Sequence, residues 1–129
     1  MNSYAFKVGA VECVVFLDGA SAVDADRMMK RFPTLAESDM RQAYAALGLS
    51  LDQAVSSMNL LMIRLGAENI LIDAGQGGKP TGGLLPEHMR AAGVDPASIT
   101  RVIISHSHGD HVRGLLTAEN APVFPNAQY

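Results

Sequence analysis

The segment His106-Ser107-His108-Gly109-Asp110-His111 gathers three of the chain's four histidines and one aspartate within six residues. It follows directly on Arg101-Val102-Ile103-Ile104, which reads as a short, continuous apolar strand. Neutral imidazole nitrogen and carboxylate oxygen are ligands that zinc favours. Side chains two apart in an extended segment point the same way, so His106 and His108 can share one cation while Ser107 points away. Gly109 frees the backbone to turn, and Asp110 and His111, at the start of a helix, can then face a second position beside the first. An exposed loop with no ligand has no need of this clustering behind a buried strand. The segment is therefore read as a metal-binding loop, most simply for zinc, with room for two ions. The remaining histidine, His88, falls inside a predicted helix and reads as a surface or hydrogen-bonded helical residue.

The rest of the chain organises around that loop. Residues 4–8 and 11–17 are β-rich runs joined at Gly9-Ala10 and ended by the turn signal Asp18-Gly19, which predicts an opening hairpin over 1–19. Residues 20–57 read as a helical insertion. It holds a short helix over 24–30 and a second helix opened by the capping-box sequence Thr34-Leu35-Ala36-Glu37 and stopped by Gly48. Leu35, Met40, Ala43, Tyr44 and Leu47 recur at helical spacing, so they are expected to pack. From 58 to 129 come the core elements: an apolar hairpin over 58–65 and 69–72, a glycine-rich connector over 75–83, a helix over 84–92 closed by Gly93, and the strand 101–104. Strand, helix and strand form a unit with parallel strands, expected to be buried on both faces by helices. In such α/β units ligands collect at the carboxyl ends of strands, where both Asp73 and the histidine-rich loop lie.

Composition narrows the class. At 129 residues the chain is one domain's worth and large enough to bury a core without a staple. A net charge of −3 with scattered lysines and arginines gives no basic stripe for nucleic acid or an anionic membrane. Cys13 is the one cysteine, in an apolar run, and is expected to be a small buried hydrophobe. No segment approaches the ~18 apolar residues of a membrane span, and the start of the chain is not a signal peptide, so the expected location is the cytoplasm. The 48% hydrophobic content and mean hydropathy of +0.13 exceed what a typical soluble monomer carries, which suggests an apolar face that something else covers.

Three stretches carry a resemblance: Ile70-Leu71-Ile72-Asp73-Ala74-Gly75, then residues 84–93, then Ile103-Ile104-Ser105 running into the histidine-rich loop. Together they resemble the metallo-β-lactamase-fold hydrolases, most closely the branch holding the N-acyl homoserine lactonases and methyl parathion hydrolase, in which a similar Phe124-Pro125-Asn126-Ala127 follows the metal motif. The resemblance covers about residues 58 to 129 well and implies an α/β fold, the N-terminal half of an αββα architecture with a mixed sheet flanked by helices. It implies His106 and His108 as ligands of a first zinc, Asp110 and His111 as ligands of a second, and Asp73 as a residue that orients the site. It further implies hydrolysis of an ester, lactone or related bond by a hydroxide held between the metals, with Asp110 as the catalytic group handling the proton passed to the leaving group. Arg113 departs from the pattern, standing where the family usually has glycine.

Beyond His111 the chain contains no further histidine or aspartate, whereas the family draws its remaining ligands from a second, similar half. Three expectations follow: a fragment whose missing C-terminal half completes the site, a homodimer in which a second copy covers the open sheet, or a remnant that folds without catalysing. Two functional readings stay open. One is a zinc-dependent, lactonase-like hydrolase of a small-molecule substrate; the other is a non-catalytic metal-binding or dimerisation module of the same fold. A thioester hydrolase of the glyoxalase type also remains, as does a choice among zinc, iron, manganese and cobalt.

Overall fold

The computed structural model describes residues 1–78 and 83–129. It has five strands, β1 (Ser3–Val8), β2 (Val11–Ala22), β3 (Val55–Leu65), β4 (Glu68–Ile72) and β5 (Arg101–Ile103), and four helices, α1 (Ala25–Arg31), α2 (Glu37–Ala46), α3 (Leu85–Ala91) and α4 (Gly109–Val112). The strands form one sheet in the order β1-β2-β3-β4-β5. β1 and β2 pair antiparallel, as do β3 and β4, while β4 and β5 run parallel with Leu71 opposite Val102. The mixed α/β architecture expected from the sequence is present. The chain divides into two compact units, one of Met1–Gly19 and Ser57–Tyr129, the other of Ala20–Ser56.

In the first unit, alternation along the strands sends Phe16, Leu60, Met62, Leu71 and Val102 to one face, where they pack with Leu85 and Met89 of α3 and with Val94, Ile99 and Phe124. The opposite face carries Val15, Leu17, Leu61, Ile63, Ile70 and Ile72, all only partly buried, and Ile103, which is 51% exposed. The expectation that β4 and β5 are buried on both faces is thus corrected. Helix α3 covers one side, and among the described residues of this unit no helix covers the other. Beyond β5, Val102 N–H donates to Gln128 C=O and Gln128 N–H to Thr100 C=O, so the chain's last residues shield the sheet edge.

A second correction concerns Asp18-Gly19, which was expected to turn the chain and instead lies within β2. Asp18 is fully buried. Its carboxylate accepts the N–H of Gln76 at 2.9 Å and of Leu85 at 3.1 Å, and its C=O accepts the N–H of Leu84 at 2.9 Å. One carboxylate therefore anchors both the loop after β4 and the first turn of α3, whose orphan amides need a partner and whose dipole favours negative charge there. Gly75, at φ 83°, comes so close that a Cβ would stand 2.7 Å from the Asp18 carboxyl carbon. The expected connector over 79–82 lies outside the described residues.

In the second unit, Asp24 caps α1 by accepting from Arg27 N–H. The capping box at Thr34 does not form. Helix α2 starts at Glu37, with Ala36 in the capping position and no side-chain bond, and of the expected apolar stripe only Met40 is buried while Leu47 is 75% exposed. Arg41 grips both oxygens of Asp52, at 2.8 and 2.9 Å, and Glu37 one turn away. These groups are exposed, so the clasp fixes geometry more than it adds stability.

Two predictions follow. Asp18→Ala leaves two amides without their acceptor, and urea unfolding is expected to show a loss of about 1–3 kcal/mol. Glu68 accepts from the Thr100 hydroxyl and from Arg101 at 3.2 and 3.3 Å, and these bonds hold its carboxyl below the ordinary glutamate value. Its contribution is present above the ordinary pKa of about 4.3 and fades as pH falls through the lowered folded value. Glu68→Gln should therefore be less stable than the parent at neutral pH, with the gap closing in acid unfolding curves.

Candidate metal centre

The parallel pair β4 and β5 ends in two loops that are stitched together by backbone bonds. Asp73 N–H donates to Ile103 C=O at 2.8 Å, Ala74 N–H to His111 C=O at 2.8 Å, and Gly114 N–H to Gly75 C=O at 3.0 Å. Gly114 sits so tightly on the Ala74 carbonyl that a Cβ there would overlap it. These contacts set the histidine-rich loop against the end of β4.

Asp73 does the rest. At φ 63° it adopts a left-handed conformation that aspartate tolerates better than most residues, and this turns its carboxylate toward the loop. Oδ1 accepts Ser105 N–H at 2.7 Å, and Oδ2 accepts the Ser105 hydroxyl at 2.8 Å and His111 Nδ1–H at 2.8 Å. Burial works against ionising Asp73, but the bonds from Ser105 N–H, His111 and the Ser105 hydroxyl outweigh it and hold the carboxyl below its ordinary range. With its hydroxyl proton committed to Asp73, Ser105 Oγ can accept from His106 Nδ1, 3.0 Å away. The partners thus assign the proton of both His106 and His111 to Nδ1 and leave each Nε2 a free lone pair.

Those two lone pairs each meet a second donor. His106 Nε2 lies 3.1 Å from His108 Nδ1, and His111 Nε2 lies 3.6 Å from Asp110 Oδ2. Two ligands of one tetrahedral zinc, each 2.0–2.1 Å from it, stand about 3.3 Å apart. His106 thus lies beside His108 and His111 beside Asp110, at separations of the size expected between two ligands of one cation, and the His106 and His111 rings also stand together, with centroids 3.8 Å apart. Among the described residues no group of three potential ligands converges on one point. Each pair is short of the three protein ligands that catalytic zinc sites use.

The other singled-out residues fall as follows. His88 is buried in α3 and its Nδ1–H donates to Leu17 C=O, far from the loop in role and satisfied. Cys13 is buried, as expected. Phe124 is fully buried in the core and Asn126 donates to Ala97 C=O at 2.9 Å, so the Phe-Pro-Asn-Ala stretch braces the fold. Sequence reasoning missed Ser105, whose only signal was a hydroxyl immediately before the first ligand, and Asp18, which mimicked a turn residue.

The metallo-beta-lactamase superfamily model matches residues 56–127, more than half of the chain. The chain belongs to that superfamily. Among curated relatives, a ribonuclease Z of Pyrococcus furiosus is 40% identical over 55 residues, covering 43% of the chain and 16% of that protein, and one of Methanothermobacter thermautotrophicus is 34% identical over 71 residues, covering 52% and 21%. The chain thus spans about a fifth or less of the length of these relatives. Among solved structures, the dizinc quorum-quenching lactonase AidC, in complex with a product, superposes with a TM-score of 0.86 at 24% identity, covering 98% of this chain and 43% of that one. The hydrolase AbOPH of the beta-lactamase superfamily gives 0.85 at 22% identity, with 98% and 43% covered. At these identities the superpositions establish the fold.

Replacing Asp73 with asparagine keeps the left-handed backbone but loses the charge that orders Ser105 and His111. Long-range nitrogen–proton NMR of the rings is expected to show His111 as the Nδ1–H tautomer in the parent and a shifted tautomer population in Asp73→Asn, together with a loss of about 1–3 kcal/mol on unfolding.

Proposed function

We propose that this superfamily domain supplies one side of a dinuclear metal centre in a hydrolase, with His106 and His108 holding one cation and Asp110 and His111 the other. The observation that carries the reading is the pairing of donors at 3.1 and 3.6 Å, with Asp73 and Ser105 fixing the ring tautomers from behind. Zinc fits the nitrogen and oxygen donor set. Bound cations of this kind supply an activated water and a Lewis acid for a carbonyl or phosphoryl oxygen. The chain's own residues orient the ligands, and Asp110, 46% exposed at its side chain, is the group proposed to pass a proton to a leaving group.

The substrate reading is a small ester, lactone or related molecule. The whole-chain superposition on a lactonase and on another hydrolase supports it, and so does the chain's charge of −3, which disfavours a polyanionic substrate. A second reading, cleavage of a phosphodiester, is favoured by the ribonuclease Z relatives, whose identity reaches 40%. Among the described residues no helix is long and apolar enough to cross a membrane.

The further ligands are proposed to come from whatever covers the apolar face of Leu61, Ile63, Ile70, Ile72 and Ile103. In a solution of this chain alone, a second copy is the available partner, and a symmetric homodimer is expected.

Metal analysis after equilibration with zinc should give up to two ions per chain, falling by one in the double variant His106→Ala/His108→Ala and by one in Asp110→Ala/His111→Ala. Unchanged metal content in both variants would sink the assignment. Turnover of lactone, phosphotriester or phosphodiester substrates by the loaded protein separates the hydrolase from a non-catalytic module. Sedimentation at tens of micromolar tests the dimer, which a well-behaved monomer would exclude.

A further inference from the structure

Arg113 directly follows α4. Its guanidinium lies flat on the backbone of the metal loop, occupying the space where a Cβ on Gly109 would stand, with Nε 2.7 Å from that position. It is exposed, and among the described residues none of the ion pairs involves it. Arg113 is thus a fixed positive charge without a carboxylate, one residue past Val112 and two past the candidate ligand His111.

Arg113 also lines an open groove of about 500 Å³, together with Val112, Leu115, Leu116, Pro122 and Tyr129. The walls are held in place. Leu116 and Pro122 form a β-bridge, Val123 N–H donates to Leu115 C=O at 2.9 Å, and the Tyr129 hydroxyl donates to Phe124 C=O at 3.0 Å. Leu116 is 49% exposed and Tyr129 66% exposed. An apolar trough whose lining includes one arginine without an ion-pair partner among the described residues is complementary to a small amphiphile carrying one negative charge.

We propose that this groove is a subsite for an aliphatic carboxylate, whose chain lies on Leu115, Leu116, Pro122 and Tyr129 and whose anionic head meets the Arg113 guanidinium. The subsite rests on the proposed hydrolase for its biological meaning, since hydrolysis of an ester or lactone leaves such a carboxylate. Arg113 then sets specificity for an acidic group beside the metal loop, a role that glycine at this position cannot fill.

Binding can be read without metal or turnover. Metal-free protein in chelator is titrated with sodium octanoate below its micelle concentration, with 1-octanol and acetate as comparators, and the amide spectrum is followed by NMR. Octanoate is expected to produce saturable shifts at Val112, Leu115, Leu116 and Tyr129, with octanol weaker and acetate without effect. Arg113→Gln should weaken octanoate at least fivefold and leave octanol unchanged, while Leu116→Ser should weaken both; the spectra themselves report that each variant is folded. Equal affinity for octanoate and octanol, or an octanoate affinity indifferent to Arg113→Gln, overturns the proposal. So does concentration-dependent broadening of the same amides without ligand, which would mean that a second copy covers the groove. Because no metal is present, failure here leaves the metal assignment standing, and failure of metal binding leaves this subsite standing.

Discussion

The carboxylate of Asp73 is the contact on which the candidate centre depends. It leaves β4 in a left-handed turn, accepts three hydrogen bonds from Ser105 and His111, and so ties the ends of two parallel strands into one rigid platform. Each of those bonds is charge-assisted, and their acceptor is nearly buried, which makes them stronger than the exposed pairs elsewhere on the chain. The orientation of His111, and through Ser105 that of His106, is settled before any cation arrives. Such preorganisation matters because a ligand that must be reoriented on binding lowers affinity by the cost of ordering it.

The sheet beneath this platform is finished on one side only. Phe16, Met62 and Leu71 are sealed beneath α3, whereas the side chains on the reverse keep part of their surface in water. Full burial of one aliphatic side chain is worth about 1.5–3 kcal/mol, so a row of them is a strong drive toward association. The same apolar row borders the loop whose ligand pairs are short of partners.

Much of this was legible in the residues. The apolar runs at 58–65 and 69–72 announced the β3–β4 hairpin, and the run at 101–104 followed by clustered histidines announced the parallel strand and its loop. The spacing His-x-His-x-Asp-His announced a cluster of donors at the end of that strand. What was not legible depended on long-range packing. Asp18-Gly19 has the composition of a turn, yet the buried amides of Gln76 and Leu85, 58 and 67 residues away, demand a carboxylate inside the strand. Thr34 and Glu37 match a capping box, but local preference did not decide where α2 begins. Ser105 gained its place from Asp73, a partner that only the parallel pairing of β4 and β5 brings within reach.

Arg113 and Gly114 are neighbours with opposite freedoms. Position 114 is closed to any side chain by the Ala74 carbonyl, whereas at 113 an exposed side chain packs over Gly109. Chemistry at the rim can therefore drift through substitutions at 113 without disturbing the backbone that carries the ligands. A fold arranged in this way separates evolvability from integrity by a single peptide bond.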